Sequence, residues 1–157
     1  MDIYKVTLEF IESKCSLDYE HILFGIQQHW ITNEEVVKFA ERRVTHGVVS
    51  DVDYEIASLL KDDVGMVSSI ITENYENLDL SKDELKTFWL RAIVLYIYEH
   101  FGKYEDPFEL LANLYADFNY PEEIKNLVYY NVPSDESQGG KEYLMNQLER
   151  YVNNISC

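Results

Sequence analysis

The chain has 157 residues, with 29 Asp/Glu against 13 Lys/Arg and a formal net charge of −16. A field of that sign repels nucleic acid and anionic membrane surfaces and draws basic proteins at long range, which argues against phosphate-backbone binding. Hydrophobic residues at 46% and aromatics at 14% exclude a disordered acidic chain, which would be poor in both.

The charge is unevenly placed. Residues 49–123 hold 17 acids against five bases, whereas 1–48 and 124–157 are close to balance. The opening Met1-Asp2-Ile3-Tyr4-Lys5 lacks a basic stretch leading into an apolar one, and the run Ala92–Tyr98 is far shorter than the ~20 residues of a membrane span. These features predict a cytoplasmic protein with no membrane contact, in which Cys15 and Cys157 are reduced thiols.

In chain order, Ser16 is the first predicted helix start, followed by Leu17, His21, Phe24 and Gln28 in helical steps. Thr32 opens the next helix, with Val36, Val37, Ala40 and Val44 on one stripe and Gly47 as its stop. Glu35, three residues after Thr32, has the spacing of a capping box. Ser50 is predicted to cap residues 51–61. A further helix over 63–75 carries Val64, Val67, Ile70 and Ile71, with Gly65 weakening it.

Ser81, with Glu84 three residues on, opens the segment 82–101. From Phe88 to Tyr98 this segment is apolar around nearly its whole circumference, the pattern of a helix buried on several sides, and Gly102 is read as its stop. Pro107 and Pro121 suit the first position of helices over 107–118 and 121–130, and residues 141–155 complete the set. The polar run 133–140 reads as a surface loop. No segment alternates with period two between turn residues. The expectation is an all-α fold: a single compact domain, 1–157, of about eight helices around the buried central helix 82–101.

Chemistry is sparse. Asp51, Asp53 and Glu55 resemble the opening of a calcium loop, but Ile56 stands where the loop needs Gly and Asp62 where it needs a bidentate Glu. Acids in the first turn of a helix capped by Ser50 explain the same residues. The histidines at 21, 29, 46 and 100 never fall three or four residues apart, so helical metal ligation lacks its usual pair. Cys15 has no catalytic signature, and no phosphate loop, nucleophile elbow or metalloprotease motif is present. The predicted protein is not an enzyme and holds no cofactor and no metal. The enzymatic alternative is a carboxylate–histidine metal site assembled from distant segments.

The stretch Leu114-Tyr115-Ala116-Asp117-Phe118-Asn119-Tyr120-Pro121-Glu122-Glu123-Ile124 resembles the signature of a family of small acidic bacterial proteins. The family was formerly called a domain of unknown function, and members occur as immunity proteins in polymorphic, LXG-type toxin systems. Ile56–Asp62, Trp89-Leu90 with Tyr96 and Tyr98, and Tyr104-Glu105-Asp106-Pro107 fit the same family in register. The resemblance implies a bacterial immunity protein, an antitoxin that binds and neutralises a cognate toxin domain, commonly a nuclease. Charge agrees independently, because a nuclease presents a basic cleft that an acidic surface can occupy.

The alternative is an acidic nucleic-acid mimic or regulatory adaptor on a basic host protein. The partner-binding patch expected is Asp117, Tyr120, Glu122, Glu123, Tyr129, Tyr130, Asp135 and Glu136, which combines carboxylates with aromatic anchors. Exposed tyrosines serve a homodimer equally well. The signature has a second, architectural reading: Asn119 in a left-handed turn and Pro121 starting the next helix, making an inter-helix corner.

Overall fold

The computed structural model describes residue 4 and residues 6–47, 49–75, 79–128 and 140–157. Among these the protein is all-α. Eight α-helices follow one another: α1 Leu8–Lys14, α2 Tyr19–Gln27, α3 Asn33–Thr45, α4 Asp51–Ala57, α5 Val67–Asn74, α6 Lys82–Glu99, α7 Pro107–Asp117 and α8 Gly140–Asn154. Three 3₁₀ helices lie at Lys61–Met66, Phe101–Lys103 and Glu122–Leu127.

Contacts divide the chain into two units, Met1–Trp89 and Leu90–Cys157, with the division falling inside α6. In the first unit, α3 packs against α1, α4 and α5, and α2 packs against α5. Leu8, Ile11, Ile22, Phe39, Ile56 and Ile71 are solvent-excluded there. Each such side chain contributes about 1.5–3 kcal/mol relative to exposure. Trp89 is also fully buried; its indole N–H donates to the His21 carbonyl at 2.9 Å, so burial costs no unmet donor. The ring lies so close to α2 that a Cβ at Gly25 would sit 2.4 Å from its Cζ2.

In the second unit, the 3₁₀ helix Glu122–Leu127 packs against both α7 and α8. Ile93, Ile97, Leu111, Leu114, Ile124 and Leu148 are among its solvent-excluded residues. The all-round apolar character of α6 is reflected in burial, since Leu85, Phe88 to Leu90, Ala92 to Val94 and Ile97 are all buried.

Several predicted ends move, each for a local reason. α1 was not anticipated; it is a short helix capped by Thr7, whose side chain accepts from the Phe10 N–H at 3.3 Å. α2 is capped by Asp18 and not Ser16: the Asp18 carboxylate accepts from the Glu20 N–H at 2.9 Å, and the Asp18 N–H donates to His21 Nδ1 at 3.1 Å. A histidine in the third helical position here does what Glu or Gln usually does.

Thr32 does cap α3, but the Glu35 carboxylate turns away from the expected return bond and accepts the Leu8 N–H of α1 at 3.3 Å. Residues 61–66 are 3₁₀, so the expected helix over 63–75 is α-helical only from Val67. α6 stops at Glu99, and Gly102 lies within the 3₁₀ turn after it. Neither cysteine is a free thiol: Cys15 and Cys157 are disulfide-bonded, which corrects the expectation of reduced thiols. That expectation came from compartment alone and carried no geometry.

Candidate protein-interaction surface

The signature stretch folds into the corner that its composition allows. At the end of α7 the Asn119 N–H donates to the Ala116 carbonyl at 3.0 Å and the Tyr120 N–H to the Tyr115 carbonyl at 2.8 Å. This is the paired-bond Schellman arrangement, with Asn119 left-handed at φ 61°. The accompanying apolar contact is the edge-to-face pair of Tyr115 and Tyr120, 5.2 Å between centroids. Tyr120 itself has φ 57°, a conformation a bulky residue rarely adopts. Pro121 is the residue before the 3₁₀ helix and not its first member.

The same device ends α2. There His29, at φ 61°, and Trp30 donate to the Ile26 and Gly25 carbonyls, both at 3.0 Å, and Trp30 meets the Phe24 ring.

Of the expected patch, Asp117, Tyr120, Glu122 and Glu123 are exposed on this corner, Tyr120 at 59%. Tyr129, Tyr130, Asp135 and Glu136 lie outside the described residues. Glu123 has a different occupation. Arg91 Nη2 donates to its Oε1 at 2.6 Å, Arg91 Nε reaches both oxygens at 3.1 and 3.2 Å, and the Tyr151 hydroxyl donates to Oε2 at 2.6 Å.

Arg91 also donates through Nη1 to the Ser156 carbonyl at 3.1 Å. α6, the 3₁₀ helix and α8 thus meet at one carboxylate. Burial alone would raise the Glu123 pKa, but the hydrogen bonds from Arg91 and Tyr151 outweigh it and hold the group below the usual carboxylate range. Tyr151 is pushed up, first by burial and then by that carboxylate.

Beside the corner in sequence, the second unit contains a cleft of about 780 Å³. Its apolar lining is the edge-to-face pair Phe101 and Phe108, with ring centroids 5.4 Å apart, together with Pro107 and Leu144. Glu105, Asp106 and Glu109 line it against a single cation, Lys141. Asp106 is also the cap of α7, accepting from the Glu109 N–H at 3.2 Å, which fixes its carboxylate in place. A lining that combines aromatic rings with carboxylates suits a Lys or Arg side chain, whose stem can pack on rings while its charge pairs with acids. The charge count alone did not single out these residues. The signal available was the Tyr104–Pro107 stretch, quoted for resemblance and not for chemistry.

A cavity of about 390 Å³ in the first unit offers less. It is lined by Glu12, Leu17, Phe39, Arg42, Arg43 and His46 among others, but Arg42 is paired with Glu12, and Arg43 Nε donates to Asp53 at 2.9 Å. Asp53 is a solvent-excluded hub. It accepts from the Tyr19 hydroxyl and Arg43 through Oδ1, and from the Ser50 N–H and hydroxyl through Oδ2 at 2.9 and 3.0 Å. Burial would raise its pKa; the bonds from Tyr19, Ser50 and Arg43 prevail and lower it. A residue that resembles part of a calcium loop is therefore a capping and cross-linking carboxylate. Among the described residues no group of three or more His, Cys, Asp or Glu is placed to hold a metal ion. No described helix is long and apolar enough to cross a membrane.

The described residues form an all-α protein of strongly acidic composition in which no group of three or more His, Cys, Asp or Glu is placed to hold a metal ion. The chain belongs to the family described as an uncharacterized protein conserved in bacteria, DUF2247, whose model matches residues 8–156. No curated protein and no solved structure matches it.

Proposed function

We propose that this protein is an immunity protein: it binds a basic toxin domain, a nuclease in the simplest case, and neutralises it by occupation and not by catalysis. The observation that carries the reading is the cleft of the second unit, which Glu105, Asp106 and Glu109 line together with the Phe101–Phe108 pair in a chain of net charge −16. A surface of that sign accelerates encounter with a basic domain and competes with the nucleic acid such a domain cleaves. Asp117, Tyr120 and Glu122, exposed at the corner after α7, are a second candidate contact, whereas Glu123 ties that corner to Arg91 and Tyr151.

The test is co-expression with the product of the adjacent upstream gene. Growth arrest by that product alone, relieved when this protein is present, supports the reading; arrest that persists in its presence overturns it. Isothermal titration with the inactivated product then measures stoichiometry, expected at one to one. Charge reversal of Glu105 and Glu109 to Lys is expected to slow association at least tenfold and to flatten its salt dependence.

A further inference from the structure

Of the five large apolar side chains that are exposed among the described residues, four lie between Val49 and Met66: Val49 at 37%, Tyr54 at 56%, Leu60 at 72% and Met66 at 52%. The same stretch exposes Asp51, Glu55, Asp62 and Asp63 against one cation, Lys61. Its second half is unusual in its own right. The 3₁₀ helix Lys61–Met66 buries none of its residues and has no side-chain cap. It also has six residues, where such helices seldom exceed about four. Its neighbours are α3 and α5 of the first unit, yet Leu60 and Met66 are left in solvent.

Isolated exposed apolar residues are ordinary. A stretch of 18 residues that exposes Tyr, Leu and Met among carboxylates has the composition of an interface, which is enriched in aromatic residues and Met and carries charge at its rim. We infer that the segment 49–66 is a docking surface for the face of a basic protein with an apolar centre. The inference rests on the reading of a basic partner and assigns the apolar anchors of that contact to Tyr54, Leu60 and Met66. Charge selects the occupant: four exposed carboxylates against one lysine favour a cationic surface and oppose a second copy of this acidic chain. Because the anchors are exposed, changing them leaves the fold in place, so a loss of binding reads the contact and not stability.

The experiment titrates the full-length ¹⁵N-labelled protein with a synthetic amphipathic helix of lysine and leucine, and repeats the titration with the double variant Leu60→Asp, Met66→Asp. The inference expects amide shifts across residues 54–66 and a dissociation constant at least tenfold weaker in the variant, with unchanged circular dichroism. Shifts confined to residues 101–109, no shifts, or equal affinity of the variant overturn it.

Co-expression separates the two proposals. If wild-type protein protects and the double variant protects equally, the docking surface is wrong and the immunity reading stands. If residues 54–66 bind the peptide but wild-type protein gives no protection, the surface stands and the immunity reading fails.

Discussion

Arg91 and Glu123 form a bidentate ion pair, with Nη2 2.6 Å from Oε1 and Nε within 3.2 Å of both oxygens, and the Tyr151 hydroxyl closes the remaining side of the carboxylate. Two acids adjacent in sequence therefore differ in role. The Glu122 side chain is 89% exposed, with Lys125 at 3.8 Å, whereas the Glu123 side chain is 28% exposed and accepts four hydrogen bonds. Replacing Glu123 by Gln is expected to cost about 1.5–3 kcal/mol, the range for hydrogen bonds to charged groups, while Glu122→Lys stays within about 0.5 kcal/mol. Urea midpoints at neutral pH check the pair, and equal midpoints for the two variants contradict it.

Asp53 and Glu123 set the acid limb of stability. Both have folded pKa values below their ordinary 3.8 and 4.5, so the unfolded chain binds protons first. Their contribution is complete above those ordinary values and is lost as pH falls through the lowered folded ones. Asp53→Asn is expected to cost about 3 kcal/mol at pH 7, because Arg43 and Tyr19 lose their charged acceptor. It should also flatten the acid limb of the melting curve below about pH 4. A variant as stable as wild type at pH 7 rules this out.

His21 acts in a higher pH window. Its Nδ1 accepts the Asp18 N–H at 3.1 Å and also lies 3.3 Å from the Asp18 carboxylate. The two contacts demand opposite protonation states. Burial lowers the pKa from 6.5 despite Asp18 and Glu20, which favours the neutral, accepting ring stacked 3.9 Å from Phe88. Stability from this group is full above pH 6.5 and declines as pH falls toward the lowered folded pKa. His21→Gln keeps the cap acceptor and should remove that slope, measured as melting temperature between about pH 5 and 8.

Gly25→Ala tests the approach of α2 to Trp89. The added Cβ would meet the ring at 2.4 and 2.8 Å, so either the indole or the helix must shift. The expected loss is about 1–3 kcal/mol, with a changed tryptophan emission spectrum, despite the better helix propensity of Ala. A gain in stability contradicts the geometry.

The cysteines give the simplest test. With both disulfide-bonded, the unfolded protein should take up no maleimide until a reductant is added, then two equivalents by mass spectrometry. Labelling before reduction means that the thiols are free.

The candidate site was only partly legible in the sequence. Tyr120 and Glu122 were visible as polar corner residues, and they are exposed. Glu123 looked equivalent to Glu122, because adjacency in sequence says nothing about which carboxylate faces Arg91 across 32 positions. Leu60 and Met66 fall inside the predicted helices 51–61 and 63–75, and nothing in the periodicity distinguishes an apolar residue that finds a neighbour from one left in solvent.

What the amino-acid order determined by itself was local: the all-helical class, the starts at Thr32, Ser50 and Pro107, the left-handed stop at Asn119, and the buried character of α6. Caps, prolines and periodicity act within about four residues, so they are written in sequence. Only tertiary structure decided that Glu35 serves α1, that Asp53 becomes a buried hub, that Glu123 joins three helices, and that the segment 49–66 leaves its anchors exposed. Those outcomes depend on which groups meet across tens of residues, and a carboxylate carries no mark of its partner until the chain has brought one to it.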